Sequence, residues 1–274
     1  MKFVHLEFSE QIATVTLDHP AGNRINFQMR EELLEAFGQV ATSDSRVLLV
    51  KAQGRDFCLG GDIRDWPGLR ASELQPRLEV FAKAIDVLDT LTIPTLAVVQ
   101  GRCMGGGFEL ALSCDLIIAS TSAGFMFPEA LLGITTLQGG VYRLAERIGR
   151  NKAMEMVLLS EMVEATRMAE WNVVNKVVDE GRLITEAETL ARRLASGSPQ
   201  AYAATKSLLQ VWQQEGASAA RAALYEITMP LFETTAVQSA LRTAVEAISL
   251  GQPIPSNIFA SQSAEQREVT LIDG

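Results

Sequence analysis

The sequence predicts an α/β fold followed by a helical region, and three observations predict it. Short apolar runs recur through the first two thirds of the chain: QIATVTL (11–17), VLLVKA (47–52), TLAVVQ (95–100), DLIIAS (115–120) and, closing the series, NKVVD (175–179). Segments of helical spacing separate some of these runs. Beyond about residue 182 the chain reads as almost wholly helical. Apolar strands alternating with helices are the pattern of a sheet covered by helices. The organisation expected is a core over 1–195 and a helical region with a polar tail over 196–274.

Taken in order, QIATVTL alternates as a strand does, and Pro20 and Gly22 in HPAGNR break it. A helix is expected over 28–41, where Leu33, Leu34, Phe37 and Val40 share a face. VLLVKA ends at Gly54 and is followed by GRDFCLGGDIRDWPGLRASELQ, a Gly-rich, charged stretch expected to be a mobile connection. From Pro76 to Leu91 the spacing of Leu78, Phe81, Ile85 and Leu88 gives an amphipathic helix. TLAVVQ and DLIIAS then flank the segment GRCMGGGFELALSCD. LITEAETLARRLAS, AYAATKSLLQVWQQ and TTAVQSALRTAVEAISL supply the later helices, and the polar, Pro-containing end from Gln252 reads as a partly ordered tail.

Composition narrows the function classes. Hydrophobic residues make up 47% and charged residues 21%, ordinary globular usage that places the chain outside the disordered class. The first residues lack the apolar core of a signal peptide, and no run reaches the length of a membrane helix, so a cytoplasmic protein without membrane attachment is expected. A formal charge of −9 argues against nucleic acid as a partner, since phosphate contacts need clustered Lys and Arg. Cys58, Cys103 and Cys114 are an odd count without metal-ligand spacing. His5 and His19 sit in no zinc or serine-hydrolase motif, and neither a Walker-type phosphate loop nor GxGxxG after a strand is present.

Two glycine segments and two carboxylates remain. Gly105, Gly106 and Gly107 stand between a strand and an apolar helix start, where free N–H groups and the positive helix end suit an oxyanion. A tight packed turn is the other reading. FCLGGDI (57–63) repeats the arrangement after another apolar run, and Asp62 there also reads as an N-cap for IRDW. Glu109 and Glu129 lie in apolar surroundings that raise a carboxyl pKa toward useful proton transfer. Taken alone, each also suits the structural task of complementing a helix dipole, the commoner role for such a carboxylate.

FCLGGDI, PTLAVVQGRCMGGGFELALSCDLIIAS, FPEALLGITTLQGG, VVNKVVDEG and SPQAYAATKSLL follow one another in the order and spacing of the crotonase superfamily, which this chain resembles from about residue 11 to 210. The resemblance implies a ββα spiral core, C-terminal helices that build a homotrimer or dimer of trimers, and an acyl-CoA thioester substrate. CoA belongs to that substrate, and no metal or redox cofactor is implied. Position by position, Gly61 and Gly106 are the implied oxyanion donors. Glu109 and Glu129 are the implied glutamates of enoyl-CoA hydratases, Glu109 activating a water for C3 and Glu129 supplying a proton to C2. Arg24 is the candidate for the CoA phosphates, and the stretch with Leu59, Asp62 and Ile63 for the remaining CoA contacts, with adenine against backbone near Leu59 and Ile63.

Dienoyl-CoA isomerases of this family carry an aspartate where Leu137 stands, and feruloyl-CoA hydratase-lyases lack a glutamate at position 109, so simple hydration is expected. An isomerase that shuttles a proton on Glu129 is the alternative. Gln138 stands where a small residue is commoner, ISLGQPIP (248–255) replaces the usual basic C-terminal stretch, and Trp66 falls where relatives shape the acyl pocket.

Overall fold

In the computed structural model, residues 1–255 and 258–259 are described. The chain divides into two compact units, Met1–Ala191 and Arg192–Gly274. The first begins with β1 (Val4–Ser9), β2 (Ile12–Leu17), α1 (Phe27–Ala41), β3 (Val47–Ala52), α2 (Ala71–Thr90) and β4 (Thr95–Val99). Next come β5 (Arg102–Met104), α3 (Gly106–Leu112), β6 (Leu116–Ser120) and β7 (Gly124–Met126). It continues through α4 (Gly140–Ile148), α5 (Arg150–Leu159), β8 (Val163–Glu164), α6 (Ala165–Glu170) and β9 (Lys176–Val178). Helix α7 (Leu183–Ala195) runs across the boundary in sequence, and α8 (Pro199–Glu215), α9 (Ala217–Thr228) and α10 (Thr235–Ser249) form the second unit.

The larger sheet has the order β1-β2-β3-β4-β6-β9 and is parallel apart from the β1–β2 hairpin. A smaller sheet, β5-β7-β8, pairs β5 with β7 in parallel. Every β4 residue is buried, which is why TLAVV carries no polar alternation. β1 has no counterpart in the sequence reading, because its VHLEFS pattern leaves the outer residues exposed. What fixes it is Glu32 of α1, whose carboxylate accepts the N–H groups of Lys2, Phe3 and Val4 at 2.8, 2.7 and 3.0 Å. Asn26 caps α1 by accepting the Met29 N–H at 2.8 Å.

Two expectations need correction. The first part of the connection expected to be mobile after Gly54 is hydrogen-bonded to its surroundings: Phe57 N donates to Gln100 O, Cys58 N to Arg102 O and Leu59 N to Gly22 O. Helix α2 starts at Ala71, five residues before Pro76, because the Glu73 carboxylate accepts the Arg70 N–H at 2.9 Å and closes the first turn. Pro76 is therefore carried inside the helix. The polar tail expected from Gln252 lies, apart from 252–255 and 258–259, outside the described residues. Among the described residues no helix is long and apolar enough to cross a membrane.

Candidate active site

A cleft in the first unit is lined by Gly61, Gly106, Glu109, Glu129, Arg30 and Trp66, among others. Its floor is the glycine turn. Gly105 has φ 49° and ψ −124°, a region that side chains avoid, and it hands the chain from β5 into α3. Gly106 is the first residue of α3, so its N–H has no intrahelical acceptor.

Gly61 reaches the same place by another route. Ile25 N donates to Gly60 O and Asp62 N donates to Ile25 O, the two bonds of a parallel bridge between Ile25 and Gly61. In that pattern the N–H of Gly61 itself faces away from Ile25. A Cβ placed on Gly106 would stand 3.7 Å from Gly61 N, so the two glycine backbones face one another across a gap of atomic size. Neither N–H has a protein acceptor among the described residues.

Glu109 lies on α3, all seven residues of which are buried, and it is itself 1% exposed. Its Oε1 accepts the N–H groups of Gln138 at 2.6 Å and Gly140 at 2.9 Å. Burial raises its pKa above the ordinary carboxylate value, and these N–H groups oppose the rise. The Gln138 loop is held in turn by Arg143, whose Nε donates to Gln138 O and whose Nη1 donates to Asp89 of α2 at 3.0 Å.

Glu129 opens a 3-10 turn, Glu129–Leu132, that ends at Gly133 with φ 70°. Burial pushes its pKa up to about 7, and the Glu109 charge adds to the rise. Its Oε2 is buried without a partner. Phe108 and Phe127, whose rings lie 4.7 Å apart, brace the two glutamate-bearing segments against each other. The buried side-chain polar atoms without partners among the described residues are Arg30 Nε, Trp66 Nε1 and Glu129 Oε2, and all three residues line this cleft.

The structure thus brings together Gly61, Gly106, Glu109 and Glu129. Leu59 and Ile63 line the same cleft, as does Arg24, whose Nη1 donates to the Leu59 carbonyl at 3.1 Å. Asp62 stands apart. It is 5% exposed, caps the 3-10 turn Ile63–Asp65 through the Arg64 N–H, and is ion-paired to the Arg64 guanidinium, which holds its carboxyl below the usual range. Sequence reasoning passed over Arg30, the buried cation of the cleft. The signal was present: Arg30 precedes Leu33, Leu34 and Phe37 by three, four and seven residues, on the face that α1 buries.

Two unpaired N–H groups in one cleft with a buried and a half-buried carboxylate are an arrangement that can move protons next to a polarised carbonyl. The family model described as enoyl-CoA hydratase/isomerase matches residues 7–248, and the chain belongs to that family. It is 34% identical over 207 residues to the carnitinyl-CoA dehydratase of Proteus mirabilis (strain HI4320), covering 75% of this chain and 79% of that protein. Among solved structures, enoyl-CoA hydratase subunit I from Geobacillus kaustophilus HTA426 superposes with a TM-score of 0.82 at 28% identity, covering 92% of this chain and 97% of that one. An enoyl-CoA hydratase/carnitine racemase from Magnetospirillum magneticum superposes with a TM-score of 0.83 at 25% identity, covering 93% and 95%. The architecture is the crotonase fold.

Proposed function

We propose that the protein is an enoyl-CoA hydratase, adding water across the 2,3 double bond of an acyl-CoA thioester. The observation that carries this reading is the pairing of Glu109 and Glu129 in one cleft with the free N–H groups of Gly61 and Gly106. In the reaction, the thioester oxygen sits between the two N–H groups and gains enolate character. Donors fixed in advance stabilise that charge without reorganising. Glu109, oriented by Gln138 N and Gly140 N, takes a proton from water as the oxygen attacks C3. Glu129, raised to about 7, is protonated in a large fraction of molecules at neutral pH and delivers its proton to C2. Two carboxylates that share a water titrate as a coupled pair.

This chemistry uses no metal and no redox cofactor, CoA being part of the substrate. Arg24, Leu59 and Ile63 line the mouth that takes the CoA moiety in this reading, and the Leu59 carbonyl that Arg24 binds holds that edge in place. The helical unit, with Leu209, Trp212, Tyr225, Phe232 and Ile248 between 47% and 71% exposed, supplies the apolar surface of a homotrimer or a dimer of trimers. Three buried cysteines, none in a disulfide, support a reducing, cytoplasmic setting.

Turnover of trans-2-enoyl-CoA in H2(18)O tests the assignment: hydration gives a 3-hydroxyacyl-CoA carrying one heavy oxygen. A 3-enoyl-CoA converted to the 2-enoyl isomer without oxygen uptake, with activity surviving Glu109→Ala, would replace hydration by isomerisation.

A further inference from the structure

Arg30 is 2% exposed, yet it has no carboxylate within ion-pair distance among the described residues. Its one side-chain hydrogen bond among the described residues is long, 3.4 Å from Nη2 to the Ile25 carbonyl, and its Nε is buried with no acceptor. Aromatic rings surround it instead, with the guanidinium carbon 5.9 Å from Phe27, 5.9 Å from Trp66 and 5.8 Å from Phe81. Burial lowers its pKa to about 10, with the Glu109 charge opposing the fall, so it stays charged at neutral pH. Beside it Trp66 holds a second orphan, the buried Nε1–H. Both flank the oxyanion glycine: a Cβ on Gly61 would stand 3.4 Å from Arg30 Nη2 and 3.4 Å from Trp66 Cζ2.

Burying a guanidinium with no carboxylate in direct contact is unfavourable, even with the Glu109 charge nearby, and so is leaving a buried donor without an acceptor. Two such donors on adjacent residues of one cleft share a single remedy, a ligand group with more than one acceptor oxygen and a negative charge. A carboxylate fits both, accepting from the guanidinium and from the indole N–H. The position next to Gly61 sets that carboxylate a short distance from the thioester.

We propose that Arg30 and Trp66 form a carboxylate-binding end of the acyl pocket, so that the substrate is a short enoyl-CoA whose acyl chain ends in a carboxylate. The inference rests on the hydratase reading for the word enoyl, and on Arg30 and Trp66 alone for the word carboxylate. A quaternary ammonium of the carnitinyl type is repelled by the same cation.

Two measurements separate the two claims. The first is kcat/KM for trans-glutaconyl-CoA against trans-2-hexenoyl-CoA and trans-4-trimethylammoniocrotonyl-CoA, in the wild type and in Arg30→Met, Arg30→Lys and Trp66→Phe. The second is equilibrium binding of the unreactive pair glutaryl-CoA and hexanoyl-CoA. The wild type is expected to favour the carboxylate member of each pair by about 10- to 100-fold, the range of one or two hydrogen bonds to a charged group. Arg30→Met is expected to abolish the preference, Arg30→Lys to keep part of it, and Trp66→Phe to reduce it several-fold. Preference in binding with no hydration of any enoyl-CoA would leave this inference standing and remove the hydratase reading. Hydration of hexenoyl-CoA as efficient as that of glutaconyl-CoA, with no preference in binding, would overturn the inference, and that comparison needs no variant to fold.

Discussion

The Oε1 of Glu129 stands 2.6 Å from the point where a Cβ on Gly105 would lie. The glycine turn and the second carboxylate are therefore one piece of construction, and the first glycine of the triplet is needed because Glu129 occupies the space beside it. Its N–H is also tied, donating to Met126 O at 3.0 Å just ahead of the Glu129 turn.

Gly105→Ala is expected to push the Glu129 carboxylate aside and to strain a backbone held at φ 49°. Displacing a reacting group by about 1 Å costs on the order of 100-fold in rate. Steady-state kinetics should therefore show kcat/KM falling by that order, with a lowered melting temperature.

Gly106 and Gly107 should part company. A Cβ on Gly106 meets only ordinary contacts, Phe81 Cε1 at 3.4 Å and Gly61 N at 3.7 Å, so Gly106→Ala should fold normally. Its methyl enters the oxyanion gap, and loss of donor access there costs about 100- to 1,000-fold in kcat. A Cβ on Gly107 meets Cys58 Sγ at 2.6 Å and Cys58 O at 2.8 Å in the packed interior. Gly107→Ala should cost about 1–3 kcal/mol of stability by overpacking, read by denaturant unfolding.

The pH dependence has a definite sign. Glu129 is raised from 4.5 to about 7 on folding, so the native state holds a proton that the unfolded chain has released in that window. Its contribution to stability is full below the unfolded value and is lost as pH rises through about 7. Because the protonated form is the donor to C2, kcat/KM for hydration should fall on the same limb. Glu129→Gln should flatten that limb as well as lower the rate, by about 100- to 10,000-fold.

The thiols should be silent in the native protein. All three cysteines are buried, and burial pushes the Cys58 thiol up to about 12. Iodoacetamide at pH 8 should leave the folded protein unlabelled and modify all three positions in guanidinium, as mass spectrometry would read.

Light scattering at micromolar concentration should give a mass of three or six chains. A monomer would remove the assembly proposed for the region after Arg192.

Much of the candidate site was legible as local segments, with the roles supplied by the family resemblance. Gly61, Gly106, Glu109 and Glu129 each sit in a short segment whose glycines and apolar neighbours announce a turn into a buried element. What spacing could not give is convergence: the bridge between Ile25 and Gly61 that frees the Gly61 N–H joins residues 36 apart in the chain, and no periodicity encodes it. Strand β1 was missed because four of its six residues are exposed and its anchor is Glu32, on a helix. The start of α2 was missed because Pro76 reads as a first-turn residue, while the Arg70–Glu73 closure sits one turn earlier. Asp62 shows the reverse case, its capping role being readable in IRDW and found in the structure.

The most direct test of the central claim is loss of the conjugated enoyl-thioester absorbance over a panel of trans-2-enoyl-CoAs, with the wild type and Glu109→Gln side by side. Hydration by the Glu109–Glu129 pair requires rapid loss with at least one panel member and a drop of at least about 100-fold in Glu109→Gln. Undiminished loss in Glu109→Gln, or no loss with any member despite demonstrable binding of the CoA esters, would contradict it.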